Sequence, residues 1–282
     1  MHHFYYTWCR AEHSLSGNAG WGIRSVSPGF PEHEAHQLVP NANYQFLDTV
    51  SPENSPVRLA YVKHPELGYI LIHAVAIGQC PGQSRGGNYF VHCLTDLGEN
   101  FDGFEAICHW SSPSWVVEDF DSPSGPPPWN APSLNLDSIE ETIGKNLKKT
   151  EYFESAMYCL EAFLTLDDDQ KLFIAGQSAE VAQLIRVVGA CLPKKRKKEM
   201  TFSTYDSLDS PPNVKIMGCF FVDPATEDFP PYHYLEGFFS LNTYTQKRSV
   251  APPTSNFARG ILPLLRDYGG GQVQIIHDFI EQ

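Results

Sequence analysis

Apolar and polar residues alternate along several short segments of the first hundred residues, a pattern typical of half-buried β-strands. Aromatic and β-branched residues are frequent in these segments, and glycine and proline separate them, as turns between strands require. The predicted strands are residues 3–10, 21–27, 58–63, 68–77, 85–95 and 104–110. They predict a mostly antiparallel β domain with a short exposed helix at residues 31–39.

The apolar positions change period in the second half of the chain, where they recur every three or four residues as in an amphipathic helix. Helices are expected at residues 150–166 and 255–268, and a third is expected to begin at Ser178 as its capping residue. Further strands are predicted at residues 171–176, 200–205 and 215–222. A strand, a helix and a strand in this order predict a right-handed βαβ unit.

A run rich in proline and serine, residues 111–132, lies between these two patterns and reads as a linker or a long surface loop. We therefore predict an α+β protein. A β-rich N-terminal domain at residues 1–135 is followed by a smaller α/β domain at residues 136–282, which contains one βαβ-like unit and a C-terminal tail.

Composition and charge restrict the class of partner and the cellular compartment that we expect. The 282 residues carry a net charge of −13, so a nucleic-acid partner is disfavoured unless a local basic patch binds it. The seven cysteines form no C-x-x-C pair, which favours reduced thiols and the cytoplasm. The N-terminus lacks the pattern of a signal peptide, and no run of 18 apolar residues exists, so a membrane location is not expected.

The polar residues of the strand at 85–95 and its preceding loop are the first candidates for chemistry. Residues 82–86 match the G-x-S-x-G motif of a nucleophile elbow, yet a strand follows them where that motif needs a helix. A hydrolase or nuclease that uses His92 with Ser84, Cys93 or Asp96 is one alternative. We assign no catalytic residue.

Metal and cofactor sites are not predicted. His92-Cys93 and Cys108-His109 are adjacent pairs, and neighbouring strand residues face opposite sides, so each pair offers one ligand at most to a site. Neither a P-loop nor a G-x-G-x-x-G fingerprint occurs. An anion or nucleotide sensor at Arg85, Gly86 and Gly87 is a further alternative, because consecutive backbone N–H groups favour phosphate.

Five consecutive cations at residues 194–198 are a separate feature. They could bind an anion, a nucleic acid or an acidic partner. The simpler interpretation is the solvated end of the preceding helix, since cations suit the C-terminal dipole of a helix.

The chain resembles the bacterial GTPase-associated adaptor family of prokaryotic conflict systems, through its N-terminal domain of type 2 and its middle domain. The N-terminal motifs are YYT at residues 5–7, GWGI at 20–23, SPG at 27–29 and RGGNYFVH at 85–92. The middle domain is recognised by TFSTY at 201–205, after a helix that ends in Leu192-Pro193. The resemblance covers about residues 1–250.

The resemblance implies a non-enzymatic adaptor that works beside a GTPase or effector encoded nearby, in defence against phage, through protein–protein contact. It implies no cofactor, and it leaves an oligomer open. The residues that we expect to order the glycine-rich loop or to contact a partner are Arg85, Gly86, Gly87, Asn88 and His92.

Overall fold

The computed structural model describes six stretches of the chain, residues 1–45, 50–79, 86–117, 134–206, 213–220 and 238–280. Two compact units share them. The first combines Met1–Asn100, Ser112–Pro132 and Tyr205–Asn213, and the second combines Phe101–Ser111, Ser133–Thr204 and Val214–Gln282. The division into domains at 1–135 and 136–282 stays a prediction.

The first unit is built on five antiparallel strands in the order β2-β1-β5-β4-β3. Consecutive residues of β1 and β3 are buried, so both faces of these strands contribute to the core, where Phe4, Tyr61 and Phe90 are at most 1% exposed. Helix α1, Glu32–Leu38, buries Ala35 and Leu38 and occupies the position that the sequence predicted. The strands are β1 His2–Cys9, β2 Gly20–Val26, β3 Arg58–His64, β4 Gly68–Gln79 and β5 Gly86–Thr95.

The second unit contains a four-stranded parallel sheet in the order β7-β8-β6-β9, with seven helices among the described residues. Its strands are β6 Lys171–Ala175, β7 Phe202–Ser203, β8 Ile216–Cys219 and β9 Phe238–Asn242. Its helices are α2 Gly103–Cys108, α3 Leu136–Leu147, α4 Thr150–Thr165, α5 Ser178–Cys191, α6 Lys194–Glu199, α7 Asn256–Tyr268 and α8 Gly270–Ile280.

The predicted α+β class is confirmed. The first unit supplies the antiparallel strands, and in the second unit α5 connects β6 to β7, both of which run parallel to β8. The apolar face predicted for α5 is buried, including Val181, Leu184, Ile185 and Val188. No helix within the described ranges is both long and apolar enough to cross a bilayer.

The strand predicted at residues 104–110 is wrong, because this segment forms helix α2. The Asp102 carboxylate accepts a hydrogen bond from the Glu105 N–H at 2.9 Å and so caps the helix N-terminus. At the other end the buried Arg186 donates to the carbonyl oxygens of Ile107 at 3.2 Å and Cys108 at 3.5 Å. Both ends of this short helix are therefore stabilised by side chains.

Two predictions about α5 are also wrong. Gln177, and not Ser178, occupies the N-cap position, and its side chain makes no cap hydrogen bond; Ser178 is the first helical residue. The basic run at 194–198 is not the end of α5, because Leu192 caps that helix and the cations form the separate helix α6. Three elements, α3, α8 and β9, were not predicted from the sequence.

Candidate functional site

Strand β5 begins at a corner in the sheet. Its first residues are Gly86 and Gly87, and Gly87 has a φ of 94°, which favours glycine. The pairing of β4 with β5 is irregular here, with register shifts on both sides of Gly78, which has a φ of 95°. Ser84 and Arg85 lie outside the described residues, so the assignment of a binding role to this corner stays a prediction.

Asn88 is a structural link between strands. It is 1% exposed, and its Oδ1 accepts hydrogen bonds from the backbone N–H of Trp8 at 3.3 Å and of Tyr89 at 2.9 Å. The backbone register of β1 with β5 extends only to the pair Thr7–Phe90. The amide oxygen of Asn88 therefore serves as the acceptor that the β5 backbone no longer supplies to Trp8.

His92 lies in the centre of the sheet, opposite Tyr5 on one neighbouring strand and His73 on the other. It is fully buried. Its Nδ1 accepts from the backbone N–H of Val116 at 3.3 Å, and its Nε2 is 2.9 Å from Nδ1 of His3. A backbone N–H can only donate, so the neutral His92 ring carries its proton on Nε2 and donates it to His3.

Aromatic rings enclose this histidine. The ring of Trp115 meets that of His92 edge-on, with centroids 5.3 Å apart, and stacks on that of His73 at 4.8 Å with an angle of 5°. Tyr5 meets His92 edge-on at 4.9 Å. We call His3, His73, His92 and Trp115 the histidine cluster.

Burial keeps His73 and His92 neutral. It lowers the pKa of His73 to about 3, and it holds the pKa of His92 well below the ordinary 6.5, with smaller contributions from His3 and His73. A buried imidazolium would lose its hydration, which disfavours the charged form. With so low a pKa, and with both ring nitrogens hydrogen-bonded, His92 is a poor general base near neutral pH.

The structure does not bring His92 together with the proposed partners that it describes. Cys93 follows His92 in a strand and so faces the opposite side of the sheet, where burial raises the pKa of its thiol. Asp96 lies beyond the strand with its side chain 70% exposed, 3.4 Å from the N-terminal amine. Ser84 is not described. Within the described ranges, no three histidine, cysteine or acidic side chains converge as metal ligands.

The sequence indicated His92 as a candidate, but it gave no indication that His3 or Trp115 would lie beside it. Both are brought to His92 by tertiary structure. His3 is 89 residues from His92 in the sequence, and Val116, the neighbour of Trp115, is 24 residues from it. The only sequence signal was that His3, His73 and His92 each lie within an aromatic or apolar strand.

The thiols share the same buried character. All six cysteines within the described residues are free and buried, namely Cys9, Cys93, Cys108, Cys159, Cys191 and Cys219. Burial raises the pKa of Cys108 and of Cys159 to about 12. Cys108 and Cys159 are therefore unreactive at neutral pH in the folded protein.

Comparison with protein families identifies the chain. The family model described as GTPase-associated protein 1, N-terminal domain type 2, matches residues 1–132, and the model of the middle domain of the same protein matches residues 145–228. The chain belongs to the GTPase-associated protein 1 family. This confirms the resemblance inferred from the motifs. A comparison with curated proteins gives no match. The histidine cluster lies within the residues that match the N-terminal domain of GTPase-associated protein 1.

Proposed function

We propose that the chain is a non-enzymatic adaptor of a bacterial GTPase-linked conflict system, acting against phage through protein–protein contact in the cytoplasm. Family membership carries this proposal, because both matched domains are described as parts of a GTPase-associated protein. The partner that follows from this is a GTPase, or an effector, encoded nearby.

The geometry of the histidine cluster supports a structural role for the most suggestive side chains. His92 is sealed in the sheet, and its two nitrogens are occupied by Val116 and His3. Asn88 is occupied by the backbone of two strands. Side chains committed in this way stabilise the domain, and they leave other surfaces to make the contacts of an adaptor.

The free and buried thiols support the cytoplasmic setting. A chain that folds with reduced cysteines suits a reducing compartment, where disulfides rarely persist.

The test is to co-express the full chain with the GTPase encoded beside it and to measure the complex by affinity capture and size-exclusion chromatography. We expect co-elution in a fixed ratio, and no hydrolysis of ester, phosphodiester or GTP substrates by the chain alone. Failure to bind any product of the neighbouring genes would overturn the proposal. Turnover by the purified chain that is lost in H92Q, with folding intact, would favour the hydrolase instead.

A further inference from the structure

The most strongly charged surface among the described residues is the short helix α6, Lys194–Glu199, which we call the basic helix. It carries five consecutive cations in a chain whose net charge is −13. Lys194, Lys195 and Lys198 are exposed. Because these five cations offset five negative charges, all the other residues together sum to −18. The field around the basic helix is therefore opposite in sign to that of the remaining chain.

The position of the first two of these cations is unfavourable for the helix itself. Pro193 is the N-cap residue and offers no side-chain cap, and Lys194 and Lys195 lie in the first turn. The N-terminus of a helix carries positive partial charge, so cations there are repelled. Arg196, Lys197 and Lys198 lie in the last turn, where cations suit the dipole, so the cost falls on Lys194 and Lys195.

Repulsion within the basic helix adds to this cost. Lys194 lies three and four positions before Lys197 and Lys198, and Lys195 lies three before Lys198, so like charges are neighbours on the surface. The described residues provide one ion pair inside the helix, Arg196 to Glu199 at 3.1 Å. Neither Lys195 nor Lys198 has an ion pair in the described parts of the chain.

Tertiary contacts hold the helix in spite of these costs. The guanidinium of Arg196 lies over the ring of Phe163 at 5.7 Å, and the ammonium of Lys197 lies over the ring of Phe104 at 4.9 Å. Beneath it, Gly103 is so close to the carbonyl oxygen of Met200 that any side chain there would collide with it. Two cations are thus used to fix the helix, and the exposed lysines are presented on a rigid support.

We propose that the basic helix is the surface that binds an acidic segment of the partner GTPase; this inference rests on the function proposed above. Charge complementarity is the argument for the partner. Carboxylates that bind beside Lys195 and Lys198 relieve the repulsion among these like charges. The helix is about 9 Å long, at about 1.5 Å per residue, which suits one turn or loop of acidic residues.

A nucleic acid fits this surface less well. The rings nearest the cations are Phe163, which is 2% exposed, and Phe104, which packs between Lys197 and Gly189, so neither offers an open face to stack on a base. The phosphate backbone extends far beyond the basic helix, and the −18 charge of the other residues would repel it. An acidic protein segment can be confined to the patch.

The experiment uses the full chain with K195E and K198E combined, since both lysines are exposed. The matched control is K148E with K247E, which makes the same change in net charge at two other exposed lysines. Affinity for the partner GTPase and for fluorescent poly-L-glutamate is measured by anisotropy, with a DNA duplex of equal charge as a third probe.

We expect the K195E/K198E chain to bind the GTPase and poly-L-glutamate at least about tenfold more weakly than wild type, with the control within about twofold. Binding by the wild-type chain should weaken steeply between about 0.05 and about 0.5 M salt, a result that does not depend on how the variants fold.

The outcomes separate this inference from the proposed function. A GTPase complex that forms with unchanged affinity in K195E/K198E, or without salt dependence, overturns the docking surface and leaves the adaptor role intact. The absence of any GTPase complex in wild type overturns the adaptor role. Tighter binding of the DNA duplex than of poly-L-glutamate, lost in K195E/K198E alone, overturns the choice of an acidic protein as the partner.

Discussion

Two ring nitrogens on His92 determine what the histidine cluster does. One accepts from the Val116 backbone and the other donates to His3, so the ring joins the 112–117 segment to β1 through β5. A residue that connects three segments in this way is needed for their arrangement. The family motif at 85–92 ends at His92, so the structural role of this histidine accounts for its place in the motif without a catalytic role.

Acid should destabilise the protein through these histidines. The folded-state pKa of His73, about 3, lies below the ordinary 6.5, so the unfolded chain binds more protons between these values. The stabilisation is complete above pH 6.5 and is lost as the pH falls towards 3. We expect the free energy of unfolding to fall by about 1.4 kcal/mol per pH unit below 6.5 for each such histidine.

The substitution H73F tests this by urea unfolding at several pH values. The phenyl ring can keep the stacking on Trp115, and it removes a buried Nδ1 that has no hydrogen-bond partner in the described structure. We expect H73F to lose about one proton of the pH dependence. The control is H33Q, since His33 is exposed on α1, away from the cluster. Equal slopes for the two variants would contradict the assignment.

Single residues were only partly predictable. The burial of His92 within the sheet agrees with its aromatic and apolar neighbours in the sequence. The partners His3 and Val116 could not be found from one chain, since their approach depends on the order β2-β1-β5-β4-β3 and on a segment after the sheet. Local pattern contains no information on strand order.

Helix α2 shows how close packing can substitute for length in stabilising an element. It has only six residues, too few to form a stable helix alone. Gly103 allows it to approach the backbone at Met200, and Gly189 on α5 leaves room for Phe104. Because Gly103 and Gly189 have no side chains, α2 can pack closely between α5 and the basic helix.

The substitution G103A should be costly, because the new methyl group would meet a backbone oxygen that cannot rotate away. We expect it to destabilise the protein by about 1–3 kcal/mol. The matched control, G260A on α7, has open space around the new methyl group and should stabilise by about 0.5–1 kcal/mol through helix propensity. Denaturant midpoints at constant slope measure both. A neutral G103A would show that the contact is not tight.

Elements with a long period were predicted well, and short or atypical ones were not. Helices α4 and α5 span 16 and 14 residues, enough for several repeats of an apolar face. In α2 the alternation of Phe104, Ala106 and Cys108 imitates a strand, and the cap formed by Asp102 with Glu105 was the overlooked signal. Strand β9 has five residues after a region rich in proline and aromatics, where period is uninformative.

At the scale of the molecule, each compact unit includes chain from the other half of the sequence. In the first unit, Arg58 of β3 pairs with Asp206 at 3.0 Å and donates to the carbonyl oxygen of Asn41 at 3.0 Å. Tyr205 donates to the carbonyl oxygen of Gln45 at 3.0 Å and packs on Tyr44. The sequence could not reveal these contacts, because Tyr205 is the last residue of the middle-domain motif and Asp206 follows it.

A fragment of residues 1–132, the limits of the matched N-terminal domain, should therefore be unstable. It lacks Asp206, which leaves the buried guanidinium of Arg58 unpaired, and removal of one partner of a buried pair costs about 3–5 kcal/mol. Thermal unfolding of the fragment should begin well below that of the full chain. R58M should recover part of the loss in the fragment, whereas K63M, at an exposed position of the same strand, should not.

Two results for the fragment would contradict a stabilising role of the Arg58–Asp206 pair. Equal stability of the fragment and the full chain would show that the Arg58–Asp206 pair is dispensable. No recovery by R58M would place the instability elsewhere, for example in the missing packing of Tyr205.

The buried thiols can report how often each compact unit opens. Because a thiol shielded from solvent reacts with an alkylating reagent only while its surroundings are open, the rate of labelling reports how often each unit opens. Cys93 lies in the first unit and Cys191 in the second. In a chain with Cys80 replaced by serine, mass spectrometry would measure the labelling rates of Cys93 and Cys191 before and after a partner is added. These two rates would give the opening frequency of each unit separately.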